Sequence, residues 1–266
     1  MARATVNGVE LQYELSGTGE DTIVFLNGIA MSIAHWKPIA ESLGQRHRCL
    51  SLDLRGQLLS PQARSGNPIS LSDHVEDLRA LVESLGIAKA HLVGTSYGSE
   101  VAMMFAARHP VMTASLVVID GVSQLDPLLR AIAEGWKAAA LADPLAFYRT
   151  IVPWNYSAAY IGTNAEALAR RETAVAGLPR GYFEDFAALC DAFLDIDITP
   201  LLPRIACPTL VLVGEKDILK HAGFARIITS GVPGARMRIL PGAGHAVVVE
   251  KPQAVLAEVQ AFLDGI

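Results

Sequence analysis

Six short apolar runs recur along the chain, separated by longer stretches with helical periodicity. Each run is continuously apolar or β-branched, a pattern typical of strands that are covered by helices on both faces of a parallel sheet. The chain is therefore predicted to adopt an α/β fold with a mostly parallel sheet between two layers of helices. The runs are Thr22 to Leu26, Cys49 to Leu54, Lys89 to Val93, Ala114 to Ile119, Thr209 to Val213 and Arg236 to Leu240.

Both ends of the chain extend this pattern. Asn7-Gly8 separates the short runs Thr5-Val6 and Val9 to Leu15, and this pair readily takes the positive φ values of a tight hairpin turn. We therefore expect a short antiparallel start to the sheet. The clearest helix is Leu71 to Leu85, which begins at a capping box, carries one apolar stripe and stops at a glycine. The last helix is predicted to begin near Pro252.

One long segment, residues 122–204, interrupts the alternation of strands and helices. It contains no convincing strand, is rich in Ala and Leu, and holds many of the aromatic side chains. We interpret it as a helical insertion, so that residues 1–121 and 205–266 form the α/β core. Most of its aromatic side chains are expected to pack the insertion's own core, since large aromatic residues are usually buried.

The composition excludes several classes of partner. The net charge is −5 and the basic residues are scattered, so no cationic face is available for nucleic acid. No apolar stretch approaches the ~20 residues that cross a bilayer, and the first residues lack a secretory signal, so no membrane partner is expected. Three widely spaced cysteines, Cys49, Cys190 and Cys207, are predicted to be free thiols, with Cys49 and Cys207 buried at strand starts. These features favour a cytoplasmic protein.

A serine lies where the third apolar run meets the helical stretch that follows it. It is the centre of the sequence Gly94-Thr95-Ser96-Tyr97-Gly98. The terminal glycines indicate a strained turn with close packing of helix on strand, where a Cβ would collide with neighbouring backbone. This pattern is typical of a nucleophile elbow, in which the serine hydroxyl is exposed at the end of a strand. A plain connecting loop is the alternative interpretation of so short a motif.

Two further polar residues follow predicted strands near the end of the chain. Asp217 comes shortly after the run that ends at Val213, and His245 comes shortly after Leu240. In an open parallel sheet the carboxyl ends of the strands share one rim, where ligands bind. The predicted fold therefore places Ser96, Asp217 and His245 on the same rim.

These residue types suit nucleophilic catalysis. A serine hydroxyl needs a base within hydrogen-bond reach, and histidine can accept the proton and later return it to a leaving group. A carboxylate on the other ring nitrogen fixes the tautomer and stabilises the imidazolium. Asp217 is the predicted carboxylate, but Asp120 also ends a predicted strand and is a second candidate.

The chain contains several motifs in the order found in serine hydrolases of the α/β-hydrolase fold, and it resembles that superfamily over nearly its whole length. The order Ser, Asp, His along the chain is also that of the superfamily. The motifs are Phe25-Leu26-Asn27-Gly28, Leu52-Asp53-Leu54-Arg55-Gly56, the elbow, the stretch from Cys207 to Asp217, and Gly244-His245 followed by Glu250-Lys251-Pro252.

The resemblance implies a role for each candidate residue. Ser96 would be the nucleophile, His245 the base and Asp217 the acid of a catalytic triad. The backbone N–H groups of Ile29 and Tyr97 would form the oxyanion hole. The insertion would form a cap over the site.

Side chains near these groups are candidates for a substrate pocket. The side chains of Ile29, Met31, Trp36 and Val247 would form an apolar entrance, and Trp154 and Tyr156 would line the pocket from the cap. For Trp36, a place on the core face of the first helix is equally expected.

The sequence departs from the superfamily pattern at two places. Asn27-Gly28 stands where the superfamily usually has His-Gly, and Gly56-Gln57-Leu58-Leu59-Ser60 stands where it usually has Gly-x-Gly-x-Ser. The first departure touches the oxyanion loop, and the second is expected to reshape a neighbouring loop.

These features lead to one main hypothesis and two alternatives. The main hypothesis is a hydrolase that cleaves a carboxylic ester, thioester or lactone of a small-to-medium apolar substrate through an acyl-enzyme. The alternatives are an acyltransferase, since Asn27-Gly28 resembles the loop of bacterial hydroxyacyl transacylases, and a ligand-binding receptor on the same fold. No dinucleotide fingerprint, P-loop or metal-ligand cluster is present in the sequence, so neither a cofactor nor a metal is expected.

Overall fold

The computed structural model describes residues 1–60 and 68–266. Within them, eight strands form one sheet in the order β1-β2-β4-β3-β5-β6-β7-β8. The first two strands are antiparallel to their neighbours and the other strands are parallel, as predicted. The strands are β1 (Ala2–Val6), β2 (Val9–Ser16), β3 (Thr22–Leu26), β4 (Arg48–Leu52), β5 (Ala90–Thr95), β6 (Thr113–Ile119), β7 (Thr209–Gly214) and β8 (Arg236–Leu240).

Helices cover both faces of this sheet, and the helices that flank it bury apolar side chains against it. One face packs against α2, α3 and α9, and the other packs against α1 and α11. The helices are α1 (Lys37–Leu43), α2 (Leu71–Ser84), α3 (Tyr97–Arg108), α4 (Pro127–Ala142), α5 (Pro144–Asn155), α6 (Ala158–Thr163), α7 (Ala165–Ala176), α8 (Arg180–Leu194), α9 (Ala222–Gly231), α10 (Val247–Glu250) and α11 (Pro252–Leu263). Short 3₁₀ helices span Ile33–Trp36, Pro110–Met112 and Thr199–Arg204.

The strand register aligns the carboxyl ends of the central strands. Leu26 of β3 pairs with Gly94 of β5, Gly94 pairs with Val118 of β6, and Val118 pairs with Val211 of β7. The loops that follow these strands therefore leave the sheet at one rim. Only β4 ends clearly earlier than predicted, at Leu52, because Asp53 turns its carboxylate to backbone N–H groups of neighbouring loops.

The segment between β6 and β7 is helical, as expected. Residues 122–204 are all described, and they form α4 to α8 and one 3₁₀ helix. Phe147 packs edge-on against Phe183 and Phe186, with ring centroids 5.7 and 4.6 Å apart. These three aromatic side chains thus pack against one another within the helical segment. The assignment of residues 122–204 as a separate cap stays a prediction.

All three cysteines are free in the structure. Cys49 and Cys190 are buried, and Cys207 is half-buried because it precedes β7 instead of lying inside it. Across the described residues, no helix combines the length and apolar character that a membrane span needs.

Candidate active site

Ser96 sits in a strained turn between β5 and α3. Its φ is 50°, a value that non-glycine residues rarely adopt. A Cβ on Gly94 would lie 2.3 Å from the carbonyl oxygen of Gly98, and a Cβ on Gly98 would lie 2.2 Å from that of Leu26. The predicted backbone collisions are confirmed. The turn holds the serine at the carboxyl end of β5, where its N–H donates to the Ile119 carbonyl at 2.8 Å.

The structure brings Ser96, His245 and Asp217 into one hydrogen-bonded chain. Nε2 of His245 lies 2.9 Å from Oγ of Ser96, and Nδ1 of His245 lies 2.8 Å from Oδ2 of Asp217. The three residues follow β5, β8 and β7, so the shared rim of the sheet is what joins them. This arrangement can move a proton from the serine hydroxyl to the imidazole.

Asp217 is held as a carboxylate. Its second oxygen accepts the backbone N–H groups of Leu219 and Lys220, both at 2.8 Å. Burial disfavours the charged form, but the charge and hydrogen bond of His245 and these two N–H groups outweigh it, so the pKa of Asp217 lies below its ordinary value. A carboxylate in this state can orient the imidazole and stabilise its protonated form.

Asp120, the second candidate acid, lies beside this chain of hydrogen bonds instead of within it. One of its oxygens accepts the N–H of Gly214 at 2.8 Å, and the other has no hydrogen-bond partner among the described residues. Burial and then the charge of Asp217 raise the pKa of Asp120 well above its ordinary value. Asp120 is therefore the neutral member of a pair of neighbouring carboxyl groups.

The same neighbourhood has the spacing of a possible metal site. Donor atoms of Asp120, Asp217 and His245 lie within 4.8 Å of one another. The nitrogen of His245 nearest Asp217 is already committed to a hydrogen bond, and its other nitrogen is committed to Ser96. The donor set therefore suits proton transfer better than metal coordination.

Two backbone N–H groups beside Ser96 are free to bind an anion. Tyr97 is the first residue of α3, and the N–H groups of the first helical turn have no partner within the helix. Ile29 lies in the loop after β3. Neither N–H has a hydrogen-bond acceptor among the described residues. These are the two donors predicted for the oxyanion hole.

Asn27, which replaces the usual histidine, is a structural residue. It is fully buried, and its amide nitrogen donates to the carbonyl of Leu52 at 3.0 Å and to Asp53 at 2.9 Å. Its amide oxygen accepts the indole N–H of Trp36 at 2.9 Å. The Asn27 side chain therefore links the start of the oxyanion loop to the end of β4 and to Trp36, which directly precedes α1. It does not face the cavity.

Gln57 lies in the second segment that differs from the superfamily pattern, and it contacts the same oxyanion loop. Its amide nitrogen donates to the carbonyl oxygen of Gly28 at 2.9 Å, and its amide oxygen accepts the N–H of Leu54 at 2.9 Å. The Gly28 carbonyl and the Ile29 N–H belong to one planar peptide and point in opposite directions. Gln57 thus orients the Ile29 N–H. Sequence reasoning missed this role, although the departure after Gly56 pointed to the segment.

A cavity of about 240 Å³ opens above Ser96. Its core wall includes Ile29, Met31, Ser96 and His245, and its other wall comes from α4, α5, α7 and α8 of the helical segment. The lining is mainly apolar and aromatic, and Tyr156 contributes to it. Met31 and Tyr156 are thus where the sequence placed them, and their contact with substrate stays a prediction.

The structure does not place Trp36, Trp154 or Val247 on this cavity wall. Trp36 is fully buried with its ring 5.0 Å from Phe25, which is the core position weighed as its alternative. Trp154 packs against the main hydrophobic core. Val247 is fully buried on the core side of α10, and its neighbours Ala246, Val248 and Val249 line the cavity instead.

The cavity also holds two residues that sequence reasoning missed. They are His35 and Arg171, and neither lies in a sequence motif that sets it apart from the other histidines or from the other charged residues of α7. Burial and then the charge of Arg171 lower the pKa of His35, so this imidazole is neutral at pH 7. Nη1 of Arg171 donates to the hydroxyl of Tyr156 at 2.5 Å.

A buried ion pair supports the Asp217 loop from the other side. Nζ of Lys220 lies 3.1 and 3.0 Å from the two carboxylate oxygens of Glu100 on α3. Burial raises the pKa of Glu100, and the Lys220 charge opposes that rise. Because the Lys220 N–H also binds Asp217, the pair fixes the aspartate loop to the helix that carries Ser96. Neither residue was singled out from the sequence.

The comparisons with known proteins agree with this fold. The sequence model of the Alpha/beta hydrolase family matches residues 23–259, and the chain belongs to this family. It is a hydrolase of the α/β fold.

Three similar proteins illustrate the family. "Putative carbamate hydrolase RutD" from Caulobacter segnis is 28% identical over 278 residues, with all of both chains covered. The crystal structure of MGS-M2, an alpha/beta hydrolase enzyme from a Medee basin deep-sea metagenome library, has a TM-score of 0.94 and 30% identity, covering 99% of this chain and 97% of that one. The enol-lactonase from Burkholderia xenovorans LB400 has a TM-score of 0.89 and 25% identity, covering 99% of this chain and 100% of its own.

Proposed function

We propose that this protein is a serine hydrolase that cleaves a carboxylic ester, thioester or lactone of a small-to-medium apolar substrate. The observation that carries this proposal is the hydrogen-bonded chain from Asp217 through His245 to Ser96, which ends in a largely apolar cavity. Ser96 would be the nucleophile, His245 the general base and Asp217 the residue that orients it.

In the first half of the reaction, Oγ of Ser96 attacks the carbonyl carbon while Nε2 of His245 takes the hydroxyl proton. The carbonyl oxygen becomes an oxyanion, and the N–H groups of Ile29 and Tyr97 stabilise it. Asp217 stabilises the imidazolium. When the bond to the leaving group breaks, His245 returns the proton to the departing alcohol or thiol, and the acyl group stays on Ser96.

In the second half, a water molecule attacks the acyl carbon and gives its proton to His245. The oxyanion forms again at the same two N–H groups. The ester bond to Ser96 then breaks, His245 returns the proton to Oγ, and the carboxylic acid leaves. The free enzyme is restored without a cofactor.

The size and lining of the cavity support a substrate larger than a simple ion. A cavity of about 240 Å³ with apolar and aromatic walls buries an acyl chain or a small ring favourably. The relatives named as carbamate hydrolases make carbamate cleavage a second candidate, because the same serine can attack a carbamate carbonyl. A carbamate ion would leave most of this cavity empty.

The structure weakens the specific argument for an acyltransferase. That argument rested on Asn27, whose side chain is buried in the β3 to β4 region and does not meet a substrate. The hydrogen-bonded residues themselves serve hydrolysis and acyl transfer equally. The acceptor that resolves the acyl-enzyme must therefore be measured.

A panel of p-nitrophenyl esters of increasing chain length, with water, alcohol and thiol as competing acceptors, tests the proposal. We expect burst release of p-nitrophenol, partition of the acyl group to water, and a preference for a medium chain. A fluorophosphonate probe should label Ser96. Labelling at another residue, or undiminished turnover by Ser96→Ala, would refute the proposal. Preferential transfer to alcohol or thiol would identify an acyltransferase instead.

A further inference from the structure

Arg171 is the single permanently charged side chain among the described residues that line the cavity. It projects from α7 of the helical segment into the same space that Ser96 and His245 border. Every other described part of the wall is apolar, aromatic, or polar without a fixed charge. Arg171 is half-buried, so its guanidinium has lost part of its hydration, and this loss is costly for a cation without a counterion.

In the described part of the chain, no carboxylate forms an ion pair with Arg171. Within the described residues, no Asp or Glu oxygen lies within 4.0 Å of its guanidinium nitrogens, and residues 61–67 include no Asp or Glu. Two acidic residues near Arg171 or its partner Tyr156 are already engaged. Glu172 pairs with Arg149 at 2.6 Å, and Glu250 accepts the N–H and hydroxyl of Ser157, both at 2.7 Å.

The groups that surround the guanidinium are neutral hydrogen-bonding groups. The Tyr156 hydroxyl accepts one hydrogen bond from Arg171 and keeps its own proton free to donate. His35 is uncharged, because its burial and the nearby Arg171 lower its pKa. The Tyr148 hydroxyl is occupied by the carbonyl of Leu168 at 3.0 Å. The site thus presents an uncompensated positive charge with an adjacent O–H donor.

We propose that Arg171 binds a carboxylate carried by the substrate, so that the enzyme acts on an ester or lactone with an acid group as well as a scissile carbonyl. The guanidinium fork matches a carboxylate in geometry, and the Tyr156 O–H adds a second donor. A doubly charged phosphate would call for more than one cation, and the described wall supplies one. The proposal rests on the proposed function, since Ser96 must attack the other end of the same molecule.

The test compares two esters that differ in charge. Monomethyl adipate carries a carboxylate at the end of its acyl chain, and methyl hexanoate carries none. Proton release gives kcat/KM for each, and monomethyl glutarate and pimelate vary the distance between the groups. We expect the wild-type protein to prefer the charged ester by at least about tenfold, as hydrogen bonds to charged groups allow.

Arg171→Met removes the charge and keeps much of the side-chain length. It should lower the ratio of charged to neutral ester by about 10- to 100-fold, while Arg171→Lys should restore part of it. Arg170→Met is the matched control, since Arg170 precedes Arg171 on α7, its side chain is 73% exposed, and it forms an ion pair with Glu166 on the same helix. Arg170→Met should leave the ratio unchanged. A wild-type ratio near one, or equal losses on both esters in Arg171→Met, would overturn the proposal.

Binding separates this proposal from the proposed function. Calorimetry of monomethyl adipate with Ser96→Ala protein measures affinity without turnover. Loss of that binding in Ser96→Ala/Arg171→Met would support the carboxylate site. Persistent turnover in Ser96→Ala would refute the role of Ser96 but would leave this binding result unaffected. Equal binding of the charged ester by both variants contradicts the carboxylate site and leaves the nucleophile unaffected.

Discussion

The two walls of the cavity are built differently. Directly behind the core wall, the polar side chains of Asn27, Gln57 and Asp217 are each fixed by several buried hydrogen bonds. The helical wall is mostly apolar and aromatic. Its one charged side chain among the described residues, Arg171, has a single hydrogen-bond partner there, the Tyr156 hydroxyl. The contrast indicates that the core wall is preorganised for chemistry, while the helical wall can select the substrate by shape and charge.

The two walls meet at the histidine loop. Ala246 donates its N–H to the carbonyl of Asn155 at 2.7 Å, and Glu250 binds the backbone and hydroxyl of Ser157. A Cβ on Gly244 would lie 2.5 Å from the Ser157 nitrogen, so the two parts pack with no room for a side chain. The residue before His245 is therefore a glycine because the helical segment lies directly on it.

The largest effects are expected on the core wall. Ser96→Ala and His245→Ala should each reduce kcat by several orders of magnitude, and the double variant should lose little more, because the residues act as one unit. Single- and double-variant kinetics on one p-nitrophenyl ester measure this. Nearly additive losses of kcat would show that the two side chains act independently. They would then not form a single catalytic unit on the core wall.

Substitutions of the two carboxyl groups behind the core wall should differ sharply in their effect on kcat. Asp217→Asn should reduce kcat on the order of 10⁴-fold by favouring the wrong histidine tautomer, a magnitude taken from serine proteases. Asp120→Asn should be mild, since Asp120 is the neutral carboxyl and asparagine tolerates its φ of 49°. The reverse ranking in steady-state kinetics would transfer the acid role to Asp120.

Gln57→Leu tests whether the hydrogen bond from Gln57 to the Gly28 carbonyl orients the oxyanion loop. Removing an oxyanion donor outright costs about 10²–10³-fold in kcat, and loosening its orientation should cost less, about tenfold, with little change in KM. Fluorophosphonate labelling gives the fraction of correctly folded sites, so kcat can be expressed per active site. An unchanged kcat per active site would mean that Gln57 only stabilises the loop.

On the helical wall, Ile151→Ala should change which substrate is preferred. Ile151 lines the cavity, and one methylene in an apolar pocket discriminates by ~1–3 kcal/mol, so the optimum should move to longer esters. Trp154→Ala is the matched comparison on the same helix, since Trp154 packs against the core. It should lower the free energy of unfolding and keep the chain-length profile. A shifted profile in Trp154→Ala alone would reverse this assignment.

The smallest effect concerns stability on the core wall. Because the pKa of Asp120 is raised in the folded protein, its contribution to stability is complete below the unfolded-state pKa and is lost as pH rises toward the folded value. The asparagine of Asp120→Asn does not titrate, so it makes no such pH-dependent contribution to stability. As pH rises above the ordinary aspartate pKa, the unfolding free energy of wild type should fall relative to that of Asp120→Asn by up to about 1.4 kcal/mol per pH unit, measured by urea titrations at successive pH values. A constant difference would contradict the raised pKa.

Much of the fold and part of the site could be predicted from the sequence. Continuous apolar runs specify strands with two covered faces, and Gly94 and Gly98 mark the elbow because no larger residue fits there. The pocket residues were harder, since Trp36 and Ile29 are both apolar residues near one loop, and only packing decides which faces the cavity.

By itself, the sequence determined the α/β sheet, the helical segment and the positions of Ser96, Asp217 and His245 at strand ends, because periodicity and turn chemistry are local properties. Tertiary structure decided that Asp120 is neutral, that Gln57 holds the Gly28 carbonyl, and that Arg171 enters the cavity without a counterion. Each of these depends on groups from distant parts of the chain that share a buried space, where the neighbours' charge and hydrogen bonds set the state of a side chain.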